Sequence, residues 1–99
     1  MNPRSLGFQR SGGWRAVEKR QLAEHPECAA CGQTHGNQVH HVKPFHTHPA
    51  LELAVENLIT LCKRHHLVFG HADCWKGINP HVREDCRIHR ERVKRRMNS

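Results

Sequence analysis

The sequence predicts a small α+β domain stapled by a metal, and three observations lead there. Two half-sites, Cys28-x-x-Cys31 and Cys62-x-x-His65, repeat the same spacing with 31 residues from Cys31 to Cys62. The segments Gln38–Val42 and Glu56–Leu61 read as short extended strands. Asn79-Pro80 then opens a segment whose apolar residues return at helical spacing.

The metal follows from what the chain lacks. Its 99 residues make one domain, and Leu, Ile, Val and Phe supply about a fifth of them, close to the limit below which chains fail to bury a core. Two C-x-x-C-type pairs offer four soft or borderline ligands, enough to close a tetrahedral zinc site. Such a site contributes on the order of 10 kcal/mol to folding, which compensates for the thin core. A redox role for Cys28 and Cys31 would call for a surrounding βαβ pattern, which the sequence does not show. Five cysteines cannot all pair within one chain, and a reducing, cytoplasmic setting is expected. Cys74 reads as a loop cysteine and Cys86 as a buried helix-face cysteine, with a disulfide between them as the alternative. No apolar run is long enough to span a membrane. The N-terminal residues lack the apolar stretch of a secretory signal, so none is expected.

Taken in order, residues 1–12 read as a flexible basic arm, residues 13–78 as the core with its zinc site, and residues 79–99 as a basic C-terminal helix of the same domain. Gly13 to about Glu24 forms an amphipathic helix whose Trp14, Val17 and Leu22 are expected to cover the metal knuckle. Pro26 and Gly32 bracket that knuckle, and Thr34-His35-Gly36-Asn37 is turn chemistry. In the strand that follows, Val39 and His41 share one face while His40 and Val42 share the other. Pro44 ends it, and a loop carries His46 and His48. A helical turn at Leu51–Val55 precedes the second strand, and a helix begins at residue 62 and runs to about 69. In the loop Gly70–Ile78, Trp75 is expected to pin the chain to the core. Asn79 caps the last helix with Pro80 in its first turn. Val82, Cys86, His89, Val93 and Met97 form its apolar stripe.

Charge points to a polyanionic partner. Sixteen Lys and Arg against nine Asp and Glu give +7, and eleven histidines add charge as pH falls. The last helix carries Arg87, Arg90 and Lys94 among its cations, at an end suited to phosphate contacts.

The most specific feature is a constellation: the adjacent pair His40-His41, then Asn57, then the adjacent pair His65-His66. A strand with adjacent histidines, a loop carrying Asn and a helix bearing His resembles the HNH endonuclease family, the zinc-stapled kind of ββα-metal finger. The resemblance spans roughly Trp14 to His71 and includes Val39-His40-His41-Val42 and Asn57-Leu58-Ile59-Thr60-Leu61-Cys62. It implies structural zinc on Cys28, Cys31, Cys62 and His65, the last replacing a Cys found in many relatives. It further implies His41 as general base, Asn57 fixing the loop that aligns it, and His40 and His66 as ligands of a catalytic divalent metal. Some relatives carry a third histidine one helical turn beyond the His66 position, where this chain has Gly70. His71 is next in line and Asp73 is near, and either one completes the shell if the helix ends there.

The chemistry is coherent, because phosphodiester hydrolysis needs a base, charge neutralisation and help for the leaving oxygen. The function expected is endonucleolytic cleavage of double-stranded DNA, with His46 and His48 available to substrate phosphates. Imidazole ligands favour Mn²⁺, Ni²⁺ or Zn²⁺ over Mg²⁺. A non-catalytic zinc-stapled nucleic-acid-binding module is the rival reading. A setting in the cytoplasm, or in a host cytoplasm if phage-encoded, accords with either.

Overall fold

The structure, a computed structural model, describes residues 12–44 and 46–98. Residues 1–11 of the expected basic arm lie outside the described residues. The elements run α1 (Trp14–Glu24), β1 (Gln38–His41), β2 (Leu58–Leu61), α2 (Lys63–His65) and α3 (Val82–Asn98). Short 3-10 turns at Pro49–Leu51 and Val55–Asn57 lie between the strands, and α2 continues as a π turn over His66–Gly70.

β1 and β2 form an antiparallel hairpin in the register Gln38↔Leu61, Val39↔Thr60, His40↔Ile59 and His41↔Leu58. Side chains alternate across such a ribbon, which divides the interior in two. On one side Val39 and Leu58 bury Trp14 of α1, with Val17 and Leu22 packed around them. Gln21 Nε2 donates to Thr60 Oγ1 at 3.1 Å on the same side. On the other side Ile59 and Leu61 pack with Cys28, Ala30, Cys62, Val82 and Cys86. β2 is therefore buried on both faces, and its run Leu-Ile-Thr-Leu shows little polar alternation. The helix α1 covers the hairpin rather than the metal knuckle, a correction to the sequence reading. Trp14 is its anchor, buried against Val39 and Leu58 of the strands.

The strands are each shorter than expected, and the helix after Cys62 is not one regular helix. Cys62 caps it, with Sγ accepting from His65 N. After three residues the turn widens, and His71 N donates to His66 O at 3.1 Å across five residues.

α3 begins at Val82, where Asn79 Oδ1 accepts from His81 N at 3.0 Å. Asn79 Nδ2 donates to Phe69 O and to Asp85 Oδ2, both at 2.8 Å, tying the start of α3 to the π turn. Arg83 Nη2 donates to the carbonyls of Glu56 and Leu58 at 2.6 and 2.9 Å, anchoring α3 on the hairpin. The predicted stripe is buried at Val82 and Cys86 and half-buried at His89 and Val93, while Met97 is 77% exposed. The stripe outlasts the core. Cys74 and Cys86 are free thiols, exposed and buried respectively. Trp75 does not pin its loop to the core: it is 54% exposed and lies against histidine rings.

Candidate functional site

Four side chains converge behind the hairpin. Cys62 Sγ lies 3.2 Å from His65 Nδ1, Cys28 Sγ 3.8 Å from the same nitrogen, and Cys31 Sγ 3.9 Å from Cys62 Sγ. All four ligand atoms of Cys28, Cys31, Cys62 and His65 fall within 4.8 Å of one another. Zn–S bonds of about 2.3 Å imply tetrahedral edges near 3.8 Å, so the donor set fits zinc in number, chemistry and spacing. The knuckle is shaped by its backbone: Gly32 adopts φ +84°, Gly32 N donates to Cys28 O, and Cys28 N donates to Gln33 O. A side chain at Gly32 would run into the Arg90 guanidinium. Burial works against ionisation of Cys28, but the backbone amides of Cys62, Ala30 and Cys31 outweigh it and hold that thiol below its usual range. Burial pushes Cys31 up to about 11, as expected for a thiol that ionises only with a cation in place. Burial also lowers His65, helped by His89 and Arg64.

A second cluster lies beside β1. His40, His66 and His71 each bring a ring nitrogen within 4.8 Å of the others. His66 Nδ1 sits 2.7 Å from Gln38 Oε1, and His71 Nδ1 sits 3.1 Å from Gly77 O. Both oxygens are acceptors, so both Nδ1 atoms carry the proton. The two Nε2 lone pairs are then left facing each other at 3.2 Å. Two acceptors at that distance repel unless a cation lies between them, and cis ligands at about 2.1 Å from a metal stand this far apart. The cluster fits a divalent ion, with Gln38 and the Gly77 carbonyl fixing the rings from behind. Burial, then the neighbouring rings of His66, His71 and His41, press His40 down to about 3. Burial and His71 press His66 down to about 4. These rings stay neutral, as ligands must.

Gly70 explains why the third ring comes from position 71. A Cβ there would lie 3.1 Å from both His40 Nδ1 and His66 Cδ2. The π turn inserts one residue into the helical period and brings His71 onto the face where an α-helix would have presented residue 70. Asp73 is exposed, and the clustered ligand atoms do not include it.

His41 points to the opposite side of β1, against Trp14, with ring centroids 4.7 Å apart. Its Nε2 donates to Glu52 O at 2.9 Å, which leaves Nδ1 as the basic nitrogen. Asn57 is buried and clamps the chain just beyond it. Its Oδ1 accepts from Lys43 N at 2.8 Å, its Nδ2 donates to Lys43 O at 3.0 Å, and its carbonyl accepts from Val42 N. His40, His41, His66 and His71 all border one cavity of about 420 Å³, along with His46 and Trp75.

The remaining expectations divide. His46 borders that cavity, whereas His48 bonds Thr47 Oγ1 and does not line it. Arg87 is held within α3 by Glu84 and Glu91, and Arg90 lies 3.8 Å from Glu27. Together with Lys94 they border a separate groove of about 870 Å³ between α1 and α3, which His40, His66 and His71 do not line. Sequence reasoning missed Gln38, Glu52 and Trp14 as supports of the histidines. For Gln38 a signal existed, because it stands two residues from His40 and so shares its strand face.

A zinc-fitting knuckle, an antiparallel hairpin and a helix that together frame a cluster of imidazoles define a small α+β fold with two side-chain clusters that could each hold a metal ion. Residues 28–67, less than half of the chain, match the family model for HNH endonuclease. α1, His71 and α3 lie outside that span. No curated protein and no solved structure matches the chain.

Proposed function

We propose that this protein is a metal-dependent endonuclease that hydrolyses phosphodiester bonds of DNA by nicking or by double-strand cleavage. The observation that carries the proposal is the pair of Nε2 lone pairs of His66 and His71 facing each other at 3.2 Å in the cavity that His41 also borders. A divalent ion held by His40, His66 and His71 would neutralise the scissile phosphate and the oxygen that leaves it. His41 takes the proton of the attacking water on Nδ1, while the Glu52 carbonyl holds its Nε2–H and stabilises the imidazolium that forms. Water oxygen bonds to phosphorus, the phosphorus–O3′ bond breaks, and the 3′ oxygen gains a proton, which leaves 5′-phosphate ends. Asn57 acts as a positioning residue by holding Lys43 just beyond the end of β1. His46 at the cavity edge is placed to meet a substrate phosphate, and Lys94 is free of the ion pairs that engage Arg87. An enzyme of this kind would act in a cytoplasm, its own or a host's; among the described residues no helix is long and apolar enough to cross a membrane.

The test is conversion of supercoiled plasmid to open-circular or linear DNA with Mn²⁺, Ni²⁺, Zn²⁺ or Mg²⁺, set beside a metal-free reaction. Wild type should cut with at least one ion, and His41→Ala should lose about 10²–10⁴-fold in rate while keeping its fold and zinc content. Cleavage undiminished in His41→Ala overturns the base assignment. No cleavage with any ion leaves a zinc-stapled nucleic-acid-binding module.

A further inference from the structure

Just beyond the matched span, the chain makes a tight loop over the histidine cavity. Ala72 and Asp73 both adopt positive φ, 51° and 67°, a conformation that L-residues with side chains rarely take twice in succession. Hydrogen bonds close the loop: Asp73 N donates to Leu67 O, Cys74 N to His71 O, and Gly77 N to Cys74 O. A side chain at Gly77 would collide with the His71 carbonyl, so the return has no slack. The loop thereby sets Trp75 at the cavity mouth. Its indole lies 5.1 Å from the His71 ring and 5.3 Å, T-shaped, from the His66 ring. Yet Trp75 is 54% exposed and Ile78, which also borders the cavity, is 52% exposed. Lys76, between them in sequence, borders it too.

We infer that Trp75 is a stacking platform for an unpaired nucleobase adjoining the scissile phosphate, and that the enzyme therefore prefers single-stranded or locally opened DNA at the cut. The inference rests on the nuclease reading above. A phosphate bound to the ion that His40, His66 and His71 would hold would have its own nucleotide beside the indole, and every base has a π face that an aromatic ring accepts. Paired bases inside a duplex are already stacked and gain nothing there. The neighbouring Lys76 supplies a cation for the adjacent phosphate.

Trp14, the other tryptophan, is buried and also emits, so the Trp75→Phe chain supplies the background to subtract, and the affinities of all chains are read by anisotropy of fluorescein-labelled DNA. The full chain carrying His41→Ala, which does not consume its substrate, is titrated with a single-stranded 10-mer and with a blunt duplex of the same sequence. The single strand should quench the exposed indole. In the same background Trp75→Phe should keep the affinity for the single strand, whereas Trp75→Leu and Trp75→Met should weaken it about tenfold with the duplex affinity unchanged. In the cleaving enzyme, Trp75→Leu should erase the rate preference for a bubble over a duplex. Phe, Leu and Met variants that behave alike, or equal losses on both DNAs, overturn the inference. If plasmid cutting is normal but Trp75 proves silent, stacking fails and the nuclease reading stands. If quenching follows the predicted pattern but no ion supports cutting, the nuclease reading fails and the platform remains.

Discussion

His66 and His71 are separated by five residues, yet their Nε2 atoms meet at 3.2 Å because the π turn between them widens the helical period. A regular α-helix would have brought residue 70 to that place, where a side chain would crowd His40. The local irregularity and the meeting of the three imidazoles are one feature, and π turns are frequent at functional sites.

Removing His71 should therefore cost metal and not fold. His71→Ala is expected to raise the Mn²⁺ concentration for half-maximal cleavage at least tenfold, a loss of about 1.4 kcal/mol or more. Zinc content should stay at one per chain. Isothermal titration with Mn²⁺ checks the first expectation and metal analysis the second; unchanged Mn²⁺ affinity would remove His71 from the site.

The two metal positions should also separate by cysteine. Cys62→Ser should lose zinc and unfold at room temperature, because a structural site contributes on the order of 10 kcal/mol. Cys86 is buried beside the same cluster, but burial, with Cys28 and Asp85 nearby, pushes its thiol up to about 12 and keeps it neutral. Cys86→Ser should retain zinc and lose only about 1–3 kcal/mol for a hydroxyl in an apolar site. Circular dichroism with zinc analysis on both variants separates these outcomes.

Asn57→Ala should leave the strands in place but release Lys43 and the end of β1. Its buried amide makes paired bonds to the Lys43 backbone, and the orphaned groups should cost about 1–3 kcal/mol in stability. Cleavage should fall further than the loss of folded protein explains. Thermal melts run beside nicking rates at a temperature where both proteins are fully folded provide the check.

Stability should fall as pH drops from 7.5 to 5.5. His40 and His66 are held down to about 3 and about 4 in the fold, chiefly by burial, but titrate near 6.5 when unfolded. Below pH 6.5 the unfolded chain binds more protons than the native one, so stability rises with pH through this window. The contribution is fully present above pH 6.5 and is gone by about pH 3. Urea midpoints measured across this range, without added catalytic metal, should show a shallower slope for His40→Gln than for wild type. Parallel slopes would contradict it.

The ion preference tests the nature of the ligands. Three imidazoles suit Mn²⁺ or Ni²⁺ better than Mg²⁺, which holds to oxygen. Cleavage rates at equal ion concentration should follow that order, and a clear Mg²⁺ optimum would argue for carboxylate ligands.

The local chemistry was legible in the chain itself. The spacing Cys28-x-x-Cys31 and Cys62-x-x-His65 nominated the four residues that could hold zinc, because a knuckle and a helix start bring such pairs together by short-range geometry. Alternation along Val39-His40-His41 set the two histidines on opposite sides of the hairpin, as found. Three matters were decided only by tertiary packing. Trp14 chose the hairpin over the knuckle, Arg87 turned to Glu84 and Glu91, and the π turn selected His71 over Asp73. Each is a competition between partners distant in space or nearly equal in sequence. Spacing can nominate the candidates, but burial and steric room choose among them.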